Sequence, residues 1–399
     1  MSVSTISEYE FGGRCATVAL TFGLPILLYG FAFDCNDSTG CPAFPPSEEF
    51  KEGLSGLFDF KVLVAVLAYY LLTLGLWRVL PAQEVHGTKL VHHDRALKYR
   101  LNALKVTSVY LLFCGIGTYT HGDNFFLWTY IADHYVQIYT TSLLISYILS
   151  LYLYTSSLTV DTQYPNRALR ELAPAGNTKS PFYNFFIGRE LNPRATLPFF
   201  GEVDFKSWCG MSPGLTGWLL LDLAFMAKQY RNYGFVSTSM LFVTAIQSYY
   251  VLEGQYNEVG FLTMRDITTD GLGFMLVFGD LVWVPFLYST QTRYLATYPT
   301  PMSGTQLCGL SLCFVVGLYI FRASNGQKIF FRTRPDESRV VSLSYIKTRR
   351  GTKLLTSGWW GVARHINYVG DWLQSFPFCL ATGLAGYVVT SAGGGMAAG

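Results

Sequence analysis

Charge is scarce in these 399 residues. Asp, Glu, Lys and Arg together make up 14%, against about 25% in soluble globular chains. A balance of 29 basic and 26 acidic residues, net +3, excludes the basic footprint of a nucleic-acid protein. The eight cysteines form no CxxC pair, which removes zinc-ribbon and thioredoxin-like readings. Neither GxGxxG nor GxxxxGK[ST] occurs, so soluble dinucleotide and P-loop sites lack support. HExxH is missing too, and the six histidines do not cluster with carboxylates at ligand spacing. No metal site is expected. No repeat of 20–50 residues and no heptad run appears.

What is abundant is apolar. Hydrophobic residues reach 50% and aromatics 16%, with a mean hydropathy of +0.27. Disorder is excluded, because such surface must be buried. The composition fits an all-α polytopic membrane bundle, since backbone in lipid must satisfy its own hydrogen bonds. A span needs about 20 mostly apolar residues. The candidates are Cys15–Phe33, Phe60–Leu80, Leu104–Tyr119, His134–Leu158, Leu215–Met226, Phe235–Leu252, Leu272–Ser289, Gln306–Phe321 and, more weakly, Trp372–Thr390. The polar start leads straight into the first span, and no cleavable signal is evident. Cys35 and Cys41 flank a polar loop and can pair as a disulfide or stay free thiols. His92 and His93 read as a solvated pair.

Loop charge sets the orientation. Basic loops follow the second span (Lys89, Arg95, Lys98, Arg100, Lys105), the fourth (Arg167, Arg170, Lys179, Arg189, Arg194, Lys206) and the eighth. The last, Lys328–Lys353, holds eight basic residues against Asp336 and Glu337, hence +8 − 2 = +6. These loops and the N-terminus are expected in the cytosol, with the small cluster Lys228–Arg231 as one exception. A basic region at the cytosolic face suits a phosphorylated cofactor. The competing reading is that these charges only set topology and touch anionic lipid.

Three stretches carry a family resemblance: NFFIGRELNPR (Asn184–Arg194), the run Leu272–Leu295, and LLTSGWWGVARHINYVGDWL (Leu354–Leu373). Together with LPAQEVHGTKLVHHDRALKYRLNAL (Leu80–Leu104), they resemble the sterol reductases of the Δ14/Δ7/C-24 group, a family that includes the membrane part of the lamin B receptor. The resemblance runs over about residues 8–383. SGWWGVARHINYVGDW is most similar to the C-14 branch. Departures are Lys179, Phe182, Tyr183 and Asn184 where the family reads Gly-x-x-aliphatic-Tyr-Asp, and Arg265 where an apolar residue or Thr is usual. After Thr382 nothing matches the family's Arg-Asp…Cys…Lys-Tyr-Gly stretch.

The resemblance implies NADPH-dependent reduction of the sterol 14,15 double bond in the endoplasmic reticulum membrane, by protonation at C-15 and hydride delivery to C-14. It carries the NADPH contacts onto Lys328, Arg332, Leu355, Trp360, Asn367 and Tyr368. Lys328 and Arg332 are four apart and share a helix face. Trp360 can stack on a flat ring, or sit in an interfacial aromatic belt. Arg364 and His365 are secondary phosphate contacts. Proton-donor candidates are Tyr250, at the end of the sixth span, with Glu253 a turn later. Asp266 and Asp270, four apart, either share a face and recharge the donor or cap the seventh helix. Asp280 inside a span is a functional residue by default. Residues 1–383 are expected as one reductase domain, 1–300 mainly on the sterol side and 301–383 on the NADPH side, with 384–399 a low-complexity tail. Sterol and membrane lipid are the implied partners. With the terminal stretch unmatched, the expectation is a chain that inserts and can bind sterol but reduces it slowly or not at all. The alternatives are a catalytically impaired sterol-binding scaffold of the same fold, or a Δ7 reductase.

Overall fold

The computed structural model describes residues 9–34, 56–89, 95–160, 170–334, 336–347, 353–383, 387–389 and 396–398. Cys35, Cys41, His92 and His93 fall outside them. The chain is mostly helical, with only short strands. Among the described residues, nine long segments stand near the expected spans: α1 (Gly13–Asp34), α2 (Phe60–Val79), α3 (Ala103–His121), α4 (Tyr135–Ser157), α5 (Pro213–Tyr233), α6 (Thr238–Tyr256), α7 (Phe274–Thr297), α8 (Gly304–Thr333) and α9 (Ile366–Leu380). Of these, α1, α2, α4, α7 and α8 are long and apolar enough to cross a membrane by length and composition. The protein is thus an all-α polytopic membrane protein.

Local chemistry fixes several ends. Asp59 accepts from the Lys61 amide at the start of α2. Ser303 and Gln306 close a reciprocal capping box on α8, satisfying amides that a helix start leaves open. Arg293 donates to the Phe31 and Ala32 carbonyls near the end of α1. The structure differs from expectation at α9, which begins earlier, at Ile366, and ends at Leu380 rather than Thr390. Pro377 lies in its last turn, and Gly383 adopts φ +65°, a left-handed stop. Tyr387–Val389 then pairs antiparallel with Met396–Ala398, so part of the expected tail forms a hairpin.

Span α7 is not a uniform helix. Phe274–Phe278 is α, Gly279–Trp283 widens to a π turn, and Val284–Tyr288 and Thr290–Thr297 resume α geometry. Such turns are frequent at functional sites. Gly214 at the start of α5 allows the close approach here, since a Cβ there would lie 1.8 Å from the Asp280 carbonyl oxygen.

Polar loops fold into hairpins that hydropathy alone does not show. Gln83–Lys89 pairs with Ala96–Leu101, and Arg194–Leu197 with Gly201–Asp204. Leu97, Tyr99 and Leu101 bury one face of the first against Leu262 and Ile267, the alternation expected of a half-covered strand.

The chain divides into two compact units. One comprises Met1–Val236, Gln247–Tyr298 and Gly386–Gly399, the other Ser237–Ile246 and Pro299–Ala385. In the first, four glycines make backbone-to-backbone contact: a Cβ on Gly176 would meet the Gly188 oxygen at 2.0 Å, and Cβ atoms on Gly271 and Gly273 would meet Gly188 at 2.0 and 2.2 Å. Gly188 itself has φ +92°, accessible to Gly with little strain. In the second unit α8 and α9 cross where Gly317 faces Gly370, whose Cβ would lie 2.5 Å from the Phe321 nitrogen. Small residues allow such close approach in membrane helices.

Candidate active site

In the first unit the acidic residues of interest gather around a lysine. Strands Arg194–Leu197 and Gly201–Asp204 deliver Asp204 to the start of the short helix Phe205–Met211, where its Oδ1 accepts from the Ser207 amide at 2.9 Å. Arg194 Nε donates to Asp204 Oδ2 at 2.9 Å. Two residues into this segment, Lys206 is only 1% exposed. Its Nζ donates to the backbone carbonyls of Asp266 and Asp270. Burial lowers the Lys206 pKa from 10.5 to about 8, against the opposing pull of Asp204, Asp266, Asp270 and Asp280. The cause is the loss of water around an ammonium.

The Asp266–Asp270 spacing does not make a helix face. The short helix Arg265–Thr268 stops before Thr269, which is already non-helical, and Asp270 follows in the loop. Two β-branched threonines before Asp270 and Gly271 disfavour another turn. Nor do these acids cap α7, whose first residue is preceded by Gly273. The turn is held instead by Lys206, by the Leu272 amide on the Glu190 carbonyl at 3.0 Å, and by the glycine contacts at Gly271 and Gly273. Burial raises the Asp266 pKa, Asp270 adds to the rise, and Lys206 opposes it.

The Arg265 departure has a structural account. Its guanidinium bridges Asp270 Oδ1 (3.2 Å) and the Glu10 carboxylate (2.8 and 3.0 Å), and the Glu10 amide donates to the Tyr183 hydroxyl at 2.9 Å. Asn184 uses its amide as a donor, Nδ2 to the Thr178 carbonyl at 2.9 Å, while Oδ1 accepts from the Thr178 amide and hydroxyl. An aspartate could not make the first of these bonds.

Tyr250 lies on α6, its ring 6.0 Å from that of Trp218. Glu253 Oε1 accepts from Asn257 Nδ2 at 2.8 Å. Asp280 sits in the π turn, and a Cβ on Gly210 would come within 3.5 Å of its Oδ2. Sequence reasoning missed three buried polar residues here. Lys206 was read as a topological charge. Asp222, fully buried on α5, accepts from the Thr292 hydroxyl at 2.7 Å; a carboxylate inside a span was the available signal. Glu258, 6% exposed, accepts from the Ala103 amide at 3.0 Å and so caps α3 from another segment. Burial raises its pKa to about 7.

The second unit holds the expected cofactor residues. Lys328 and Arg332 stand one turn apart on α8, as their spacing predicts. Lys328 Nζ lies 4.9 Å over the Trp360 ring, whose Nε1 donates to the Ser324 carbonyl at 2.9 Å. One face of Trp360 is therefore covered by a cation from this chain. Leu355 is buried with Phe331 and Val340, and Trp360 packs on that cluster. Gly358, at φ +64°, lets the chain turn against the Gln327 side chain, whose Oε1 accepts from the Trp359 amide at 2.9 Å. Arg332, Arg364, His365 and Tyr368 are exposed. His365 and Tyr368 stack on each other at 5.0 Å. Asn367 Oδ1 is a buried acceptor with no hydrogen-bond partner among the described residues. Two cations on one helix face, a third at Arg364 and an unsatisfied amide oxygen fit a phosphorylated cofactor bearing a carboxamide.

The chain is 52% identical to Delta(14)-sterol reductase ERG24B of Gibberella zeae, over 97% of its length and 83% of that protein's. It is 48% identical to Delta(14)-sterol reductase of Neurospora crassa (97% and 81%), and 37% identical to Delta(14)-sterol reductase erg24 of Schizosaccharomyces pombe (94% and 85%). The profile of the ergosterol biosynthesis ERG4/ERG24 family matches residues 5–390, and the chain belongs to that family.

Proposed function

We propose that this protein reduces the 14,15 double bond of a sterol in ergosterol-type biosynthesis, with NADPH, in the endoplasmic reticulum membrane. The observation that carries the reading is 52% identity across 97% of the chain to a protein named Delta(14)-sterol reductase. An alkene that no carbonyl polarises accepts hydride poorly until it is protonated. Protonation at C-15 leaves positive charge at tertiary C-14, and aromatic faces and carboxylates nearby stabilise it. Tyr250 serves as the immediate donor, because a neutral acid is cheaper than a charged one beside a lipid substrate. Glu253, Asp266 and Asp270 return the proton to it from the cytosolic side. Residues 1–300 supply mainly the sterol side and 301–383 the cofactor side.

Lys328, Arg332 and Arg364 hold the phosphates, with His365 beside them. Asn367 offers its amide to the carboxamide or ribose, and Leu355, Trp360 and Tyr368 line the ring. NADPH, when bound, supplies the hydride. The test is an assay of microsomes containing this chain for NADPH-dependent loss of a sterol 8,14-diene and gain of its 14,15-saturated product. A diene that persists with NADPH present, in membranes where the folded chain is detected, overturns the reading.

A further inference from the structure

Lys206 has no part in the chemistry outlined above, yet its surroundings are built around it. A lysine that is 1% exposed has given up nearly all its hydration and must find replacements. Both replacements found are carbonyls of one turn, Asp266 and Asp270, so the ammonium ties the two ends of that turn to the helix Phe205–Met211. An ammonium has three N–H donors, and two carbonyls leave one for the carboxyls around it.

The charge balance is uneven. Asp204 faces Lys206 from its own segment, Asp266 and Asp270 from the turn, and Asp280 from the π turn. Arg194 pairs with Asp204, and Arg265 with Asp270. Tyr99 lies beneath Arg194, and the buried Cys209 feels both Asp280 and Asp204. Beyond those two pairs, Lys206 faces two further acids, Asp266, which Arg265 also reaches, and Asp280. We propose that Lys206 is a positioning residue for proton delivery: it holds the Asp266–Asp270 turn in place and balances the carboxyls that recharge the donor. The inference rests on the reading of the chain as a reductase that protonates an alkene. The lowered Lys206 pKa and the raised Asp266 pKa agree with a cluster in which one cation is shared among several acids.

The test separates the tether from the charge. Lys206→Gln keeps N–H donors for the two carbonyls and removes the charge; Lys206→Met removes both; Lys206→Arg keeps both. An opposite charge within about 4–6 Å shifts a carboxyl by roughly 1–3 units, and Lys206 holds Asp266 down. Without the charge, Asp266 keeps its proton to higher pH. In Lys206→Gln the alkaline limb of the kcat profile should therefore move up by about one unit or more, with KM for sterol and NADPH within about threefold of wild type. Lys206→Arg should leave the limb in place, and Lys206→Met should add faster hydrogen exchange across residues 265–272. An unmoved limb in Lys206→Gln, or one equally moved in Lys206→Arg, overturns the proposal and leaves Lys206 a structural pin. If the wild-type chain reduces no sterol diene, the functional reading fails by itself. The exchange comparison between Lys206→Met and Lys206→Gln still decides the tether, and equal rates in the two would sink it.

Discussion

Replacing Gly271 with Ala tests whether the glycine contact positions the acid-bearing turn. A Cβ at Gly271 would lie 2.0 Å from the Gly188 oxygen, 2.4 Å from its carbonyl carbon and 2.9 Å from its Cα. Every one of these is backbone, so no rotamer change relieves the clash. Contacts below 3.0 Å are essentially never seen for a real Cβ, so the segments must part by about an ångström or more. Overpacking of this kind costs about 1–3 kcal/mol, occasionally more. Asp270 immediately precedes Gly271, and its carbonyl accepts from Lys206. The displacement therefore reaches the acid cluster, where a 1 Å error can lower turnover roughly 100-fold. Purified in detergent, the variant should melt several degrees earlier than wild type and show a kcat down by about two orders of magnitude. Its KM for NADPH should hold within about twofold, because the cofactor residues lie in the other compact unit. Gly115→Ala is the control, since a Cβ there meets nothing within 4 Å and a helix interior favours Ala. A Gly271→Ala protein with wild-type melting and turnover would refute the reasoning.

Arg332→Ala should raise the KM for NADPH about ten- to a hundred-fold, the equivalent of losing one charge-assisted phosphate contact, with sterol KM unchanged; equal effects on both would remove Arg332 from the cofactor site. Tyr250→Phe keeps the ring against Trp218 and deletes the hydroxyl, so kcat should fall about 10²–10⁴-fold while a sterol-displacement assay reads normal binding; normal turnover would pass the role to Asp266 or Asp270. Glu258, with its pKa raised to about 7 by burial, makes a contribution that is complete below the ordinary carboxylate pKa and is lost as pH rises through about 7. Glu258→Gln should therefore flatten the dependence of melting temperature on pH between about 4.5 and 7, and identical profiles in the two proteins would count against a buried titrating carboxyl. Gly370→Val places side-chain atoms where the Phe321 nitrogen is 2.5 Å from a Cβ, so it should unfold or separate α8 from α9, read as loss of NADPH binding with sterol binding kept; intact NADPH binding would contradict the close crossing.

The long helices were legible because hydropathy and length report burial in lipid directly. The pairing of Lys328 with Arg332 was legible because four-residue spacing on a continuous helix fixes a common face. The same rule misled at Asp266 and Asp270, where the chain leaves the helix after Thr268. Lys206 was invisible for a different reason. Its partners lie 60 and 64 residues away, and nothing local distinguishes a buried lysine from one that sets topology. The hairpin Gln83–Lys89/Ala96–Leu101 was hidden likewise, since its buried face is completed by Leu262 and Ile267. Asp222 and Glu258 could have been singled out by their carboxyls, but what each carboxyl bonds, Thr292 in one case and the Ala103 amide in the other, depends on tertiary packing.

The π turn at Gly279–Trp283 means that α7 runs in two phases. A wide turn takes up about one residue more than an α turn, and one residue is about 100° of rotation. Everything after Trp283 is therefore turned by that amount against the frame set by Phe274–Phe278. Thr292 meets Asp222 on the far side of the offset, whereas Asp280 sits within it. Pro285, which has no amide to donate, lies in the first turn after it. The span is thus more sensitive to length than to composition. Deleting one residue between 279 and 283 would restore a regular helix of equal hydropathy, yet present a different stripe of side chains to α5 from Val284 onward. A chimera joining these halves to a partner with an uninterrupted helix would meet the same mismatch, even if every residue type were kept.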